Sequence, residues 1–154
     1  MLVGMEPFEI IKAESSHIPD LCKLLEILFS QEEEFCPDRS KQEAGLRMII
    51  ENPDTGFVLA ALKHGSIVGM VNILFTVSTA LGARVALLED LIVRPEERRK
   101  GIGKGLITEA SRCAKQAGCM RLTLLTDGAN TTAHHFYQKN GFSYSNMQIF
   151  RKLL

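Results

Sequence analysis

Leu88-Glu89-Asp90-Leu91-Ile92-Val93-Arg94-Pro95-Glu96-Glu97-Arg98-Arg99-Lys100-Gly101-Ile102-Gly103 reads as a buried strand, a proline stop, a basic glycine loop and the start of a helix. The strand, Arg84 to Val93, is apolar nearly throughout, a pattern of burial on both faces. Downstream, Leu106, Ile107, Ala110, Cys113 and Ala114 form one stripe of a helix from Gly103 to Ala117, with Gly118 suited to the position after its end. Between the two, Gly101 and Gly103 allow turns and close backbone approach. Free N–H groups at a helix start, with the helix dipole behind them, make an anion site. Arg98, Arg99, Lys100 and Lys104 add formal positive charge to it.

Working outward, Phe8 to Lys12 is a short strand. Ser15 and Ser16 offer an N-cap to a helix carrying Ile18, Leu21, Cys22, Leu24, Leu25, Leu28 and Phe29 at helical spacing. Gln31-Glu32-Glu33-Glu34 is an acidic patch in the loop that follows. Ser40 to Glu51 reads as a second helix, with Ala44 and Met48, then Leu46 and Ile49, inward. Phe57 to Lys63 and Ile67 to Val77 form a hairpin around His64-Gly65-Ser66. Toward the C-terminus come a strand at Arg121 to Thr126, a helix from Thr131 to about Lys139 after Asp127-Gly128-Ala129-Asn130, and two closing strands, Phe142 to Tyr144 and Met147 to Leu153. The sum is a mixed α/β sheet with helices on both sides, one domain over residues 1–154.

The totals exclude several classes. Eighteen basic and eighteen acidic side chains leave a formal net charge of zero, which argues against broad binding to nucleic acid or anionic lipid. Cys22, Cys36, Cys113 and Cys119 show neither a C-x-x-C pair nor zinc spacing, and buried, inert thiols in a cytoplasmic chain are expected. The N-terminus lacks a signal-peptide pattern, and no apolar run is long enough to span a bilayer.

For the loop itself, a Walker motif needs four residues between its glycines and then Gly-Lys-Ser/Thr, which are missing. A Rossmann turn needs G-x-G-x-x-G directly after the strand; the third glycine here comes one residue early, behind a charged loop. Arg98-x-x-Gly101-x-Gly103 instead resembles the central motif of the GNAT superfamily, the Gcn5-related N-acetyltransferases. Asn130 followed by His135-Phe136-Tyr137-Gln138-Lys139-Asn140-Gly141-Phe142 resembles its second motif. The order of elements matches over nearly the whole chain.

The resemblance implies an α+β fold: a central, mostly antiparallel sheet whose fourth and fifth strands splay apart, with about four flanking helices. It implies acetyl-CoA as acetyl donor, no metal, and direct attack by a primary amine, of a small molecule or a peptide, in a ternary complex. Cofactor contacts then fall on Leu91, Ile92 and Val93 along the pantetheine, on Arg98 to Lys104 (Ile102 included) at the pyrophosphate, and on Asn130, Ala133, Phe136 and Tyr137. The Leu91 N–H becomes the oxyanion donor, a contribution typically of about 3 kcal/mol. Tyr137 becomes the general acid, its phenol close enough in acidity to a thiol to share a proton. Glu89 becomes the general base, as in the similar Leu-Glu-Asp segment of polyamine-acetylating members. Strand alternation sends Glu89 and Asp90 to opposite faces. The acceptor side brings in Glu32, Glu33 and Glu34, which would attract a cationic amine. His134 and His135 read as surface or packing residues. A homodimer is a common assembly of this fold. The rival readings are a non-catalytic acyl-CoA sensor and a nucleotide-binding module.

Overall fold

Alternating apolar runs become five strands of one sheet, in the spatial order β1-β2-β3-β4-β5. They are β1 (Glu9–Lys12), β2 (Gly56–Lys63), β3 (Ser66–Ser78), β4 (Ala83–Val93) and β5 (Leu122–Leu124). The computed structural model describes residues 6–32 and 34–154. Every neighbour pair is antiparallel except β4 with β5. The β2–β3 hairpin turns on His64 and Gly65, both with positive φ (51° and 77°), a pair of left-handed residues that matches the strand twist.

Four helices cover the two faces: α1 (Ile18–Gln31), α2 (Arg39–Ile50), α3 (Ile102–Gln116) and α4 (Thr131–Lys139). One core joins α3 to the sheet through Ile102, Leu106, Ile107, Ala110 and Ala114 against Phe57, Leu59, Val71, Ile73 and Leu88. Phe136 and Tyr137 of α4 pack on its margin. The other core joins α1 and α2 through Ile18, Leu21, Leu24, Leu25 and Leu46 against Val58, Ala60, Met70 and Ile92. Leu21, Leu24 and Leu106 are wholly buried, and truncating any one to alanine costs about 2–5 kcal/mol.

The sequence reading is corrected at five places. Neither Ser15 nor Ser16 caps α1: Ser15–His17 form a single 3-10 turn, and the helix starts behind it at Ile18-Pro19. Leu46 is the buried residue of α2, whereas Met48 faces solvent. Cys36 is exposed, and all four cysteines are free thiols. The strand expected at Arg121 to Thr126 is only Leu122–Leu124. Among the described residues the stretch 142–154 forms no strand, because its backbone finds no ladder partner after the Phe142 N–H bonds the Tyr137 carbonyl. No helix of the described residues is long and apolar enough to cross a membrane.

Candidate active site

The site begins with a break in the sheet. β5 pairs with β4 only at Ala86, Leu87 and Leu88. From Glu89 to Val93, β4 keeps β3 on one side and has no strand on the other among the described residues. Backbone groups of Leu91, Ile92 and Val93 thus border an opening in which an extended ligand arm can pair as an added strand.

A bulge shapes the rim of this opening. Asn72 faces Glu89 and Met70 faces Ile92, so two residues, Asp90 and Leu91, stand opposite Val71 alone. Asp90 holds a positive φ of 49°, a region aspartate tolerates better than most residues. The extra residue breaks the expected alternation. Glu89 shares a face with Asn72 as its cross-strand partner. Asp90 turns to that same face, accepting a hydrogen bond from Asn72 Nδ2 at 2.7 Å. Both carboxylates therefore stand on the α1 side, not on opposite faces, while Leu91 packs into the α3 core. Asn72 is 3% exposed, and its Oδ1 has no partner among the described residues.

Burial shapes the titration here. It pushes the Glu89 carboxyl up, Asp90 adds to the rise, and Arg151 opposes it. Burial also pushes Asp90 up, against the Asn72 hydrogen bond. Glu32, the residue that ends α1, is raised first by burial and then by Asp90, Asp127, Glu34 and Glu89 around it. The Tyr137 phenol rises through burial and through Glu32 nearby. Five carboxylates (Glu32, Glu34, Glu89, Asp90 and Asp127) and the Tyr137 phenol thus act on one another around the opening, Glu89 and Asp90 from the α1 side of the sheet and Tyr137 from the α3 core. Glu34 is exposed and bonded to Arg151, and Glu33 lies outside the described residues. Asp127 and Arg151 are neighbours of the opening that spacing along the chain does not reveal; the fold brings Arg151 toward Glu89 and Asp127 toward Glu32.

Tyr137 sits half-buried between Phe136 and Phe142, with ring centroids 5.4 and 5.8 Å away. Its hydroxyl makes no hydrogen bond among the described residues. Asn130 caps α4, its Oδ1 accepting from the Ala133 N–H at 3.1 Å, so its amide nitrogen is left for another partner. His134 bridges the Asp127 carbonyl and the Tyr144 hydroxyl, both at 2.7 Å, a structural tie.

The loop after β4 builds an uncapped helix start. Gly101 takes φ 82° just before α3 and gives no side-chain cap. The first ladder bond of the helix is Gly105 N–H to the Gly101 carbonyl, leaving the N–H groups of Ile102, Gly103 and Lys104 outward. Gly103 is small for a different reason: a Cβ there would meet the Phe136 ring at 3.2 Å, so it seats α4 against α3. Arg98 Nε donates to the Val93 carbonyl at 3.1 Å, closing the loop on the end of β4. Lys100 pairs with Glu97, which Lys63 also holds. Arg99 and Lys104 have no ion-pair partner among the described residues. An open depression of about 560 Å³ between Phe8, Ile10 and α3 also takes in Gly101 and Lys104. It borders the loop and lies away from the strand opening.

A family model described as the Acetyltransferase (GNAT) family matches residues 18–142. The chain belongs to the GNAT family. It is 35% identical over 118 residues, 75% of this chain and 78% of the relative, to the uncharacterized N-acetyltransferase YhfO of Bacillus subtilis (strain 168). It is 31% identical over 84 residues, 54% of this chain and 48% of the relative, to a spermidine N(1)-acetyltransferase of Thermoplasma acidophilum. Among solved structures, aminoglycoside N-acetyltransferase AAC(6')-Iy in complex with CoA shares the fold at TM-score 0.81 and 21% identity, over 96% of this chain and 95% of that one. The chain is therefore a GNAT N-acetyltransferase, and the family uses acetyl-CoA. The donor set fits that ligand: the opening beside Leu91 to Val93 suits the pantetheine arm, and the uncapped start of α3 suits the pyrophosphate.

Proposed function

We propose that this GNAT enzyme transfers the acetyl group of acetyl-CoA directly to a cationic primary amine of a small molecule. The observation that carries the reading is the joining of two features at one place. β4 loses β5 after Leu88, and Glu89, Asp90, Glu32 and Tyr137 gather beside that opening.

When bound, acetyl-CoA supplies the activated thioester. Arg98 to Lys104 hold its pyrophosphate, with N–H groups of Ile102, Gly103 and Lys104 and the free side chains of Arg99 and Lys104. Leu91 to Val93 and the Asn130 amide hold the arm, and Ala133 and Phe136 form the α4 wall. Glu89, raised by burial, accepts the proton of the acceptor ammonium directly or through water. The Leu91 N–H donates to the carbonyl oxygen as charge develops on it, in a position the bulge turns away from regular pairing. Tyr137 stays protonated at neutral pH and donates to the departing sulfur. The exposed or packed thiols lie outside this arrangement, which favours direct transfer over a cysteine relay.

The acidic rim supports the acceptor class. Glu32, Glu34, Glu89, Asp90 and Asp127 bring carboxylates to one place, and Arg151 is the cation that opposes the rise at Glu89 among the described residues. Relatives named for spermidine and for aminoglycosides, whose acceptors carry several amines, point the same way. We take residues 1–154 as one catalytic domain of the cytoplasm. An amine panel with thiol detection tests the reading. Release of CoA with di- and polyamines supports it; binding of acetyl-CoA without release for any amine would support a sensor instead.

A further inference from the structure

We propose that Glu34 and Phe35 form a cation subsite of the acceptor cleft, filled by the chain's own Arg151, and that a multiply charged acceptor takes the subsite by displacing it. The inference rests on the acceptor reading above and names what sets its specificity. Arg151 Nη1 donates to Glu34 Oε2 across 117 positions of sequence. The guanidinium carbon lies 5.8 Å from the centroid of the Phe35 ring. Phe35 is itself held at 5.7 Å from Phe29 of α1. A carboxylate beside an aromatic face is chemistry that recognises cations. The Arg151 guanidinium shows a cation seated on it.

The arrangement suits exchange rather than permanent closure. After Phe142 the C-terminal stretch makes no backbone–backbone hydrogen bond among the described residues, and its Met147 N–H bonds only the nearby Ser145 hydroxyl. Its side-chain ties to the rest of the molecule are Tyr144 to His134 and Arg151 to Glu34. Both partners of the second tie are at least half exposed, 50% and 64%. Exposed pairs of this kind hold weakly, so a ligand cation competes readily. Arg151 also acts on Glu89, so its guanidinium, seated on Glu34 and Phe35, stands near enough to feel both carboxylates. An amine placed at Glu89 and a second positive centre placed at Glu34 would span the same ground.

The test compares spermidine with butylamine as acceptors, in wild type, Arg151→Gln, Glu34→Gln and the double variant. Arg151→Gln should lower KM for spermidine about two- to fivefold, the range a weak competing pair allows. It should leave KM for acetyl-CoA unchanged and shift KM for butylamine less than KM for spermidine. Because Arg151 opposes the rise at Glu89, its loss moves the acid limb of kcat upward in pH, and the comparison is read at a pH above that limb. Glu34→Gln should raise KM for spermidine, and adding Arg151→Gln to it should change nothing more. An unchanged or raised KM for spermidine in Arg151→Gln overturns the proposal, and so does an equal shift for butylamine. Calorimetry of spermidine in the presence of CoA repeats the comparison without turnover. Tighter binding by Arg151→Gln with no acetyl transfer from any variant would uphold the subsite and overturn the acetyltransfer reading.

Discussion

At Tyr137 the aromatic cage of Phe136 and Phe142 fixes the ring while leaving its hydroxyl without a protein partner. A purely packing tyrosine would lose little by becoming phenylalanine. A proton donor would lose its function: Tyr137→Phe should lower kcat by about 10²- to 10⁴-fold at unchanged acetyl-CoA affinity, read by steady-state kinetics beside calorimetry. As the proposed base, Glu89 would work in its ionised form, and it titrates above the ordinary carboxylate range because burial and Asp90 disfavour its charge. Activity, as kcat/KM, should therefore rise with pH through that raised value, and Glu89→Gln should flatten the acid limb as well as lower the rate. Asp90 makes a stability prediction. Its folded pKa lies above 3.8, so its contribution to stability is present in acid and is lost as pH rises through the folded value. At pH 7 the buried charge is a cost. Asp90→Asn keeps the left-handed backbone and a partner for Asn72. It should raise Tm at pH 7 by about 2–4 °C, with the gain shrinking toward pH 4 in calorimetric scans.

At the scale of elements, the loop and α3 were legible because their signals are local. Gly101 before a stripe of Leu106, Ile107 and Ala110 carries its own start and its own buried face. Replacing Gly101 by alanine puts a Cβ on a residue at φ 82°, a cost of about 1–2 kcal/mol. It should raise KM for acetyl-CoA with little change in the amine KM. Gly103 was legible as a glycine position but not in its reason, since Phe136 lies 33 positions later and only the fold brings it to α3. The bulge was hidden for a related cause. Leu88-Glu89-Asp90-Leu91 reads as regular alternation, and the register slip becomes visible only against Met70 and Asn72 of β3. The closing strands were overread: apolar, β-prone residues at 142–154 raise the tendency to extend, but a ladder needs a partner, and β5 is three residues long.

For the whole molecule, one sheet separates two cores, and the active opening lies where the sheet comes apart between them. That architecture explains why Glu32 from α1 and Tyr137 from α4 approach one place from opposite covers. It also leaves Met147 and Phe150 about nine-tenths exposed on a segment that makes no backbone–backbone hydrogen bond among the described residues. A second copy of the chain is the partner we expect over this apolar stretch. Sedimentation should show a dimer, and Met147→Ser with Phe150→Ser should shift it to monomer while the fold persists. The central claim is acetyl transfer through Tyr137 at the opening beside β4. Its most direct measurement is CoA thiol released from acetyl-CoA and a polyamine by wild type and by Tyr137→Phe, with CoA affinity measured on both. The account predicts sustained release by wild type and a loss of at least about a hundredfold in the variant at equal affinity. Equal rates in the two proteins, or acetyl-CoA bound by wild type with no thiol released for any amine, would contradict it.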